Sequence, residues 1–132
     1  MKEVFADSYY FLALLNPRDE GHQAAVAAAE SLKAPLVTTS WVLTELADGM
    51  AGTADRETCV GFMRDLRQRS GIRVLPASQE LFDARWALYE SRPDKEWSLT
   101  DCISFRVMEG QGIREALTGD RHFEQAGFSV LL

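Results

Sequence analysis

Apolar positions along the chain follow two rhythms. Short runs, Val4-Phe5-Ala6, Leu36 to Thr39, Ile72 to Leu75, Glu115 to Thr118 and Phe128 to Leu132, are bounded by polar residues, Gly or Pro and read as strands. Between them lie longer segments with helical spacing. Ser8 to Leu15 is apolar and broken by Asn16-Pro17, and His22 to Leu32 is alanine-rich and stopped by Pro35. Ser40 is placed to cap a helix with Val42, Leu43, Leu46 and Met50 on one face. Asp55 to Arg69 repeats through Cys59, Phe62, Met63 and Leu66, and Ser70-Gly71 closes it. Ser78 caps Gln79 to Ser91, whose Leu81, Phe82, Ala84, Trp86, Leu88 and Arg85 stem predict a core-facing helix. Ser98 opens a last helix to about Glu109, and Gly119-Asp120 reads as a turn. Strands alternating with helices predict βαβ units, hence one α/β domain over residues 1–132 with a mostly parallel sheet.

Composition narrows the class. The 132 residues are 46% apolar and 26% charged, which excludes a disordered or fibrous chain. The longest apolar stretch, Tyr9 to Leu15, is too short to span a bilayer, so no membrane partner is expected. Lys2 precedes an apolar run, but Glu3 and Asp7 interrupt it, against a signal peptide. Cys59 and Cys102 lack metal-site or disulfide spacing, so two reduced thiols and a cytoplasmic location are expected. The net charge of -6 argues against a broad basic face for nucleic acid. It does not argue against a phosphate substrate bridged by metal.

In an open α/β sheet the ligand crevice lies beyond the carboxyl ends of the strands. Four acids fall there: Asp7 after the first strand, Glu45 in the helix after the second, Asp101 in the first turn of the Ser98 helix, and Asp120 after the fourth strand. Singly, three have ordinary roles. Ser98-Leu99-Thr100-Asp101 matches a capping box, Asp120 fits a turn, and Glu45 fits a solvated helix position. Together they form an acidic cluster whose repulsion calls for a bound cation. Oxygen ligands without His or Cys favour Mg²⁺ or Mn²⁺, and such a site suits phosphodiester hydrolysis. A Gly-rich phosphate loop, a Gly-x-Ser-x-Gly elbow and a Cys/His pair at a strand end are missing from the sequence.

Val4 to Tyr9, Asn16-Pro17-Arg18-Asp19-x-x-His22, Trp41 to Glu45, Ser98-Leu99-Thr100-Asp101-Cys102-x-Ser104-Phe105 and Asp120-Arg121-His122-Phe123-x-x-Ala126-Gly127-Phe128 together resemble a PIN-domain ribonuclease. They are most similar to the VapC toxins of toxin–antitoxin pairs, over essentially the whole chain. The resemblance implies a five-stranded parallel sheet flanked by helices on both sides, and Mg²⁺- or Mn²⁺-dependent cleavage of RNA. It implies a catalytic, metal-binding quartet of Asp7, Glu45, Asp101 and Asp120, with Ser8 as a supporting hydroxyl, in a homodimer inhibited by a cognate antitoxin. Many relatives carry Thr followed by Ser or Asn after the first Asp; here Ser8-Tyr9 stands instead.

Two rival readings compete with the toxin: a stand-alone nuclease in RNA processing or DNA repair, and a non-catalytic protein-binding module. An antitoxin tail is expected to offer an arginine to the acids and to lie in a groove formed by Phe11 to Leu15 and Trp41 to Leu46. His22 and His122 are expected to be structural. Arg121 is the one arginine placed near the scissile phosphate.

Overall fold

The computed structural model describes residues 2–132. Its chain order is β1 (Val4–Ala6), α1 (Ser8–Leu15), α2 (His22–Ser31), β2 (Leu36–Thr39), α3 (Ser40–Gly49), α4 (Arg56–Gln68), β3 (Ile72–Leu75), α5 (Gln79–Ser91), α6 (Leu99–Gln111), β4 (Glu115–Leu117), α7 (Arg121–Gln125) and β5 (Ser129–Val130). The five strands pair in the order β3-β2-β1-β4-β5, all parallel. The fold is thus a five-stranded parallel α/β sheet with seven helices, as the alternating pattern predicts.

The order of the strands places the helices. From β1 the chain steps outward to β2 and β3, then crosses back to β4 and β5 on the other side. Parallel crossovers are right-handed, so α1 to α4 cover one face and α5 to α7 the other. Helix contacts segregate in the same way: α1 packs on α2 and α3, and α3 on α4, while α6 packs on α5 and α7. The direction reverses between β1 and β4. A crevice opens there at the carboxyl ends, because the connections leave toward opposite faces.

β1 is covered on both faces, and all three of its residues are buried, which explains an apolar run without alternation. On the α6 side the core is an aromatic chain. Phe5 lies 6.4 Å from Phe123, Phe123 meets Phe105 edge-on at 5.0 Å, and Phe105 meets Trp97 edge-on at 5.1 Å. α6 is the central helix of this layer, with Asp101 to Phe105, Val107 and Met108 all buried. Gly112 ends it in the left-handed conformation (φ 69°), a backbone state that suits glycine.

Three expectations need correction. The cap of α3 is Thr39, whose hydroxyl accepts from the Val42 N–H at 3.2 Å, so Ser40 is the first helical residue. α5 does start at the Ser78 cap, but it has no buried residue and rides on the outside of α6. Its apolar periodicity therefore seats half-buried Leu81, Phe82 and Leu88, while Trp86 and Tyr89 stay exposed. Finally, the segment after β4 contains α7, and β5 shrinks to two residues.

Candidate active site

Four elements deliver the four acids to the crevice. Ala6 of β1 is in register with Leu117 of β4, so the next residues, Asp7 and Thr118, emerge side by side. The Thr118 hydroxyl donates to Asp7 Oδ2 at 2.8 Å. Asp7 occupies the N-cap position of α1, yet its carboxylate makes no capping bond and remains directed to other partners. Ser8 Oγ donates to Glu45 Oε1 at 2.9 Å, which ties α3 to the start of α1. At α6 the Ser98 hydroxyl accepts from the Asp101 N–H, and the Ser98 N–H donates to Asp101 Oδ2 at 3.1 Å. His122 Nδ1 lies 3.0 Å from the same Oδ2. Asp120 Oδ1 accepts from the His122 N–H at 2.9 Å and caps α7.

A common pattern results. Each of the four carboxylates has one oxygen anchored by a protein donor, and its other oxygen has no protein hydrogen bond among the described residues. No lysine or arginine forms an ion pair with any of them among those residues. Anchored carboxylates with a spare oxygen and no lysine or arginine partner are a donor set that suits a hard divalent cation.

The PIN-domain family pattern matches residues 4–129. The chain belongs to the PIN-domain family. It is similar to the 23S rRNA-specific endonuclease VapC20 of Mycobacterium tuberculosis, with 27% identity over 125 residues and 95% of each chain covered. The VapC20 crystal structure, described as a Sarcin-Ricin loop cleaving toxin, superposes with a TM-score of 0.86 at 26% identity and 95% coverage of both chains. FitAcB from Neisseria gonorrhoeae shares the fold, with a TM-score of 0.68 at 17% identity over 98% of this chain and 96% of that one. So does a toxin-antitoxin complex from Klebsiella pneumoniae, at 0.67 and 16% with the same coverage.

The electrostatics of this PIN domain follow from burial. Asp7 is only 4% exposed, and loss of hydration pushes its carboxyl up from 3.8 to about 7. The Thr118 hydrogen bond opposes the rise, while the charges of Asp101 and Glu45 add to it. Glu45 is also raised, first by burial and then by Asp101, Asp120 and Asp48, against the Ser8 hydrogen bond. Burial raises Asp101 too, and its bonds from Ser98 and His122 pull the other way. Three carboxyls that resist ionisation in one crevice are in a state that a divalent cation relieves.

Of the residues assigned from sequence, Asp101 and Asp120 come together with His122, each offering a ligand atom within 4.8 Å of the others. Asp7 and Glu45 lie close enough for their charges to act on Asp101, and Ser8 supports Glu45. The structural role of Asp101 is also present: the capping box and His122 engage Oδ2, which leaves Oδ1 without a protein donor among the described residues. His22 is structural, with Nδ1 2.8 Å from the Ala13 carbonyl. His122 is not merely structural: it touches both Asp101 and, at 3.5 Å, Asp120. Arg121 is exposed and makes no ion pair with the quartet.

Two further residues escaped the sequence reading. Thr118 is fully buried, holds Asp7, and also accepts from the Asp120 N–H at 3.0 Å, so one hydroxyl joins two members of the quartet. Its signal was position: it directly follows β4 and lies two residues before Asp120. Thr118→Val removes that hydroxyl at nearly constant volume. It should cost about 1–3 kcal/mol by denaturant unfolding, because the Asp120 N–H and Asp7 lose a partner. Mn²⁺ binding by calorimetry should weaken about 10–100-fold, with Thr118→Ser restoring both. The second is Gly119, where a Cβ would stand 2.6 Å from Tyr9 Cζ. Tyr9, the residue that departs from the usual pattern, lays its ring against this turn, so a larger residue at position 119 would displace that ring.

Proposed function

We propose that this PIN domain is a VapC-type toxin: a cytoplasmic, Mg²⁺- or Mn²⁺-dependent endoribonuclease restrained by a small antitoxin. The observation that carries this is the quartet of half-anchored carboxylates, without a lysine or arginine partner, at the β1/β4 switch point. Similarity to VapC20 across nearly the whole of both chains supports RNA as substrate, with ribosomal RNA the first to try.

Asp7, Glu45, Asp101 and Asp120 would hold the cation through their unanchored oxygens. A bound divalent cation supplies an acidified water and charge neutralisation at the phosphate. The protein's own part is orientation. Thr118, Ser8, the Ser98 N–H and the His122 N–H fix the second oxygen of each acid, so that little reorganisation is left for the moment of reaction.

The same unpaired acids suit an inhibitor's arginine, whose guanidinium bridges two carboxylates and fills the space of a metal. Beside α1 runs an apolar groove of about 460 Å³ lined by Leu14, Leu15, Ala28, Leu32, Phe62 and Ile72. We assign it to the apolar part of the antitoxin. Of the two segments expected to form it, only the α1 end does so: Val42, Leu43 and Leu46 are buried in the core. The aromatic stripe on α5, where half-buried Phe82 stacks on exposed Trp86 and Trp86 meets exposed Tyr89 at a tilt of 39°, is the face we assign to a second copy in a homodimer.

Incubation of the purified protein with ribosomal RNA and Mn²⁺ should give discrete cleavage products. Co-expression with any small reading frame found beside its gene should yield a co-purifying complex without that activity. Cleavage with no co-purifying inhibitor would favour a stand-alone nuclease. No cleavage of ribosomal, transfer or messenger RNA would overturn the enzymatic reading.

A further inference from the structure

His122 lies at the meeting of two acids that reach the crevice from different elements. Its backbone N–H holds Asp120 Oδ1, and its ring holds Asp101 Oδ2. A carboxylate only accepts, so Nδ1 carries the proton in this contact. The backbone that carries the ring is firmly placed. The next residue, Phe123, is fully buried and packs edge-on against Phe105 of α6, the helix that carries Asp101. The 3.5 Å separation of Nδ1 from Asp120 Oδ1 is too long to compete with the 3.0 Å contact to Asp101.

Without the ring, Asp101 Oδ2 would keep only the Ser98 N–H, a bond that fixes the helix start but leaves the carboxylate plane free to rotate. With both donors on one oxygen, the carboxylate plane is restrained and Oδ1 is left without a protein donor among the described residues. We propose that His122 is a positioning residue for the cation site, acting through Nδ1–H on Asp101 to raise affinity for a divalent metal. This rests on the reading of the quartet as a cation site.

The two ring nitrogens can be told apart by substitution. His122→Asn places an amide donor as many bonds from the backbone as Nδ1, whereas His122→Gln places it one bond further, at the reach of Nε2. His122→Phe keeps the ring volume and neither donor. Mn²⁺ binding to the metal-free protein is measured by calorimetry and by the EPR signal of free Mn²⁺, with a thermal melt of each variant at the same pH. Folded His122→Asn should bind within about 3-fold of wild type, and His122→Gln and His122→Phe about 10–100-fold more weakly. The backbone bond to Asp120 persists in all three, so a loss restored by Asn alone reports the side-chain donor. Equal affinity in all three variants, equal loss in all three, or rescue by Gln instead of Asn overturns the inference while leaving the quartet intact. A wild-type protein that binds no Mn²⁺ overturns the cation site itself.

Discussion

Asp7→Asn should make the metal-free protein more stable at pH 8 while abolishing RNA cleavage. The two effects have one cause. In the folded state the Asp7 carboxyl is raised to about 7 by burial, from 3.8. Well below pH 3.8 it is protonated whether the chain is folded or not, and it costs nothing. Between 4 and 7 the unfolded chain ionises first, so native stability falls as pH rises. Above 7 the penalty is complete, with a ceiling of about 4 kcal/mol from a difference of some three pKa units. Asparagine keeps an acceptor for Thr118 and carries no charge. Its gain over wild type should therefore grow from near zero at pH 4 to about 1–3 kcal/mol at pH 8, by urea unfolding in chelator. Cleavage should fall at least about 10²–10³-fold, because a neutral amide is a poor ligand for a hard cation. A variant no more stable than wild type at pH 8 would mean that Asp7 is already compensated by something other than metal.

Adding Mn²⁺ or Mg²⁺ should reverse that penalty. At a metal concentration near 100 times Kd the native state gains about 2.7 kcal/mol, seen as a rise in Tm at pH 8. The rise should shrink toward pH 5, because Asp7, Glu45 and Asp101 are all shifted toward their protonated forms and protons then compete with metal. Asp7→Asn should blunt the rise at every pH. Excess EDTA should stop RNA cleavage, and Mn²⁺ beyond the chelator should restart it. Undiminished cleavage in EDTA would refute the metal mechanism outright.

Much of this architecture was legible in the sequence because its strands are short, apolar and bounded. β1, β2 and β3 begin and end where the pattern predicts, and the rule about carboxyl ends then selects all four acids. What was not legible depends on tertiary register. α7 has five residues between Gly119 and Gly127, too few for a helical period to show. α5 carries a core-like stripe, but sequence does not reveal that its neighbour α6 already fills the layer. Thr118 and His122 reveal their part only once β4 lies beside β1 and α7 beside α6, since their partners are 111 and 21 residues away.

The strand order also has a consequence for biosynthesis. Translation delivers β1, β2 and β3 early, and these can pair as soon as they emerge. β4 pairs directly with β1, and it carries the chain into Thr118 and Asp120 near the C-terminus. Until β4 and the turn after it have left the ribosome, Asp7 lacks its Thr118 partner and the quartet lacks Asp120. A nascent chain that stops before β4 thus lacks two of the groups that build the crevice, however well its first three strands have already paired.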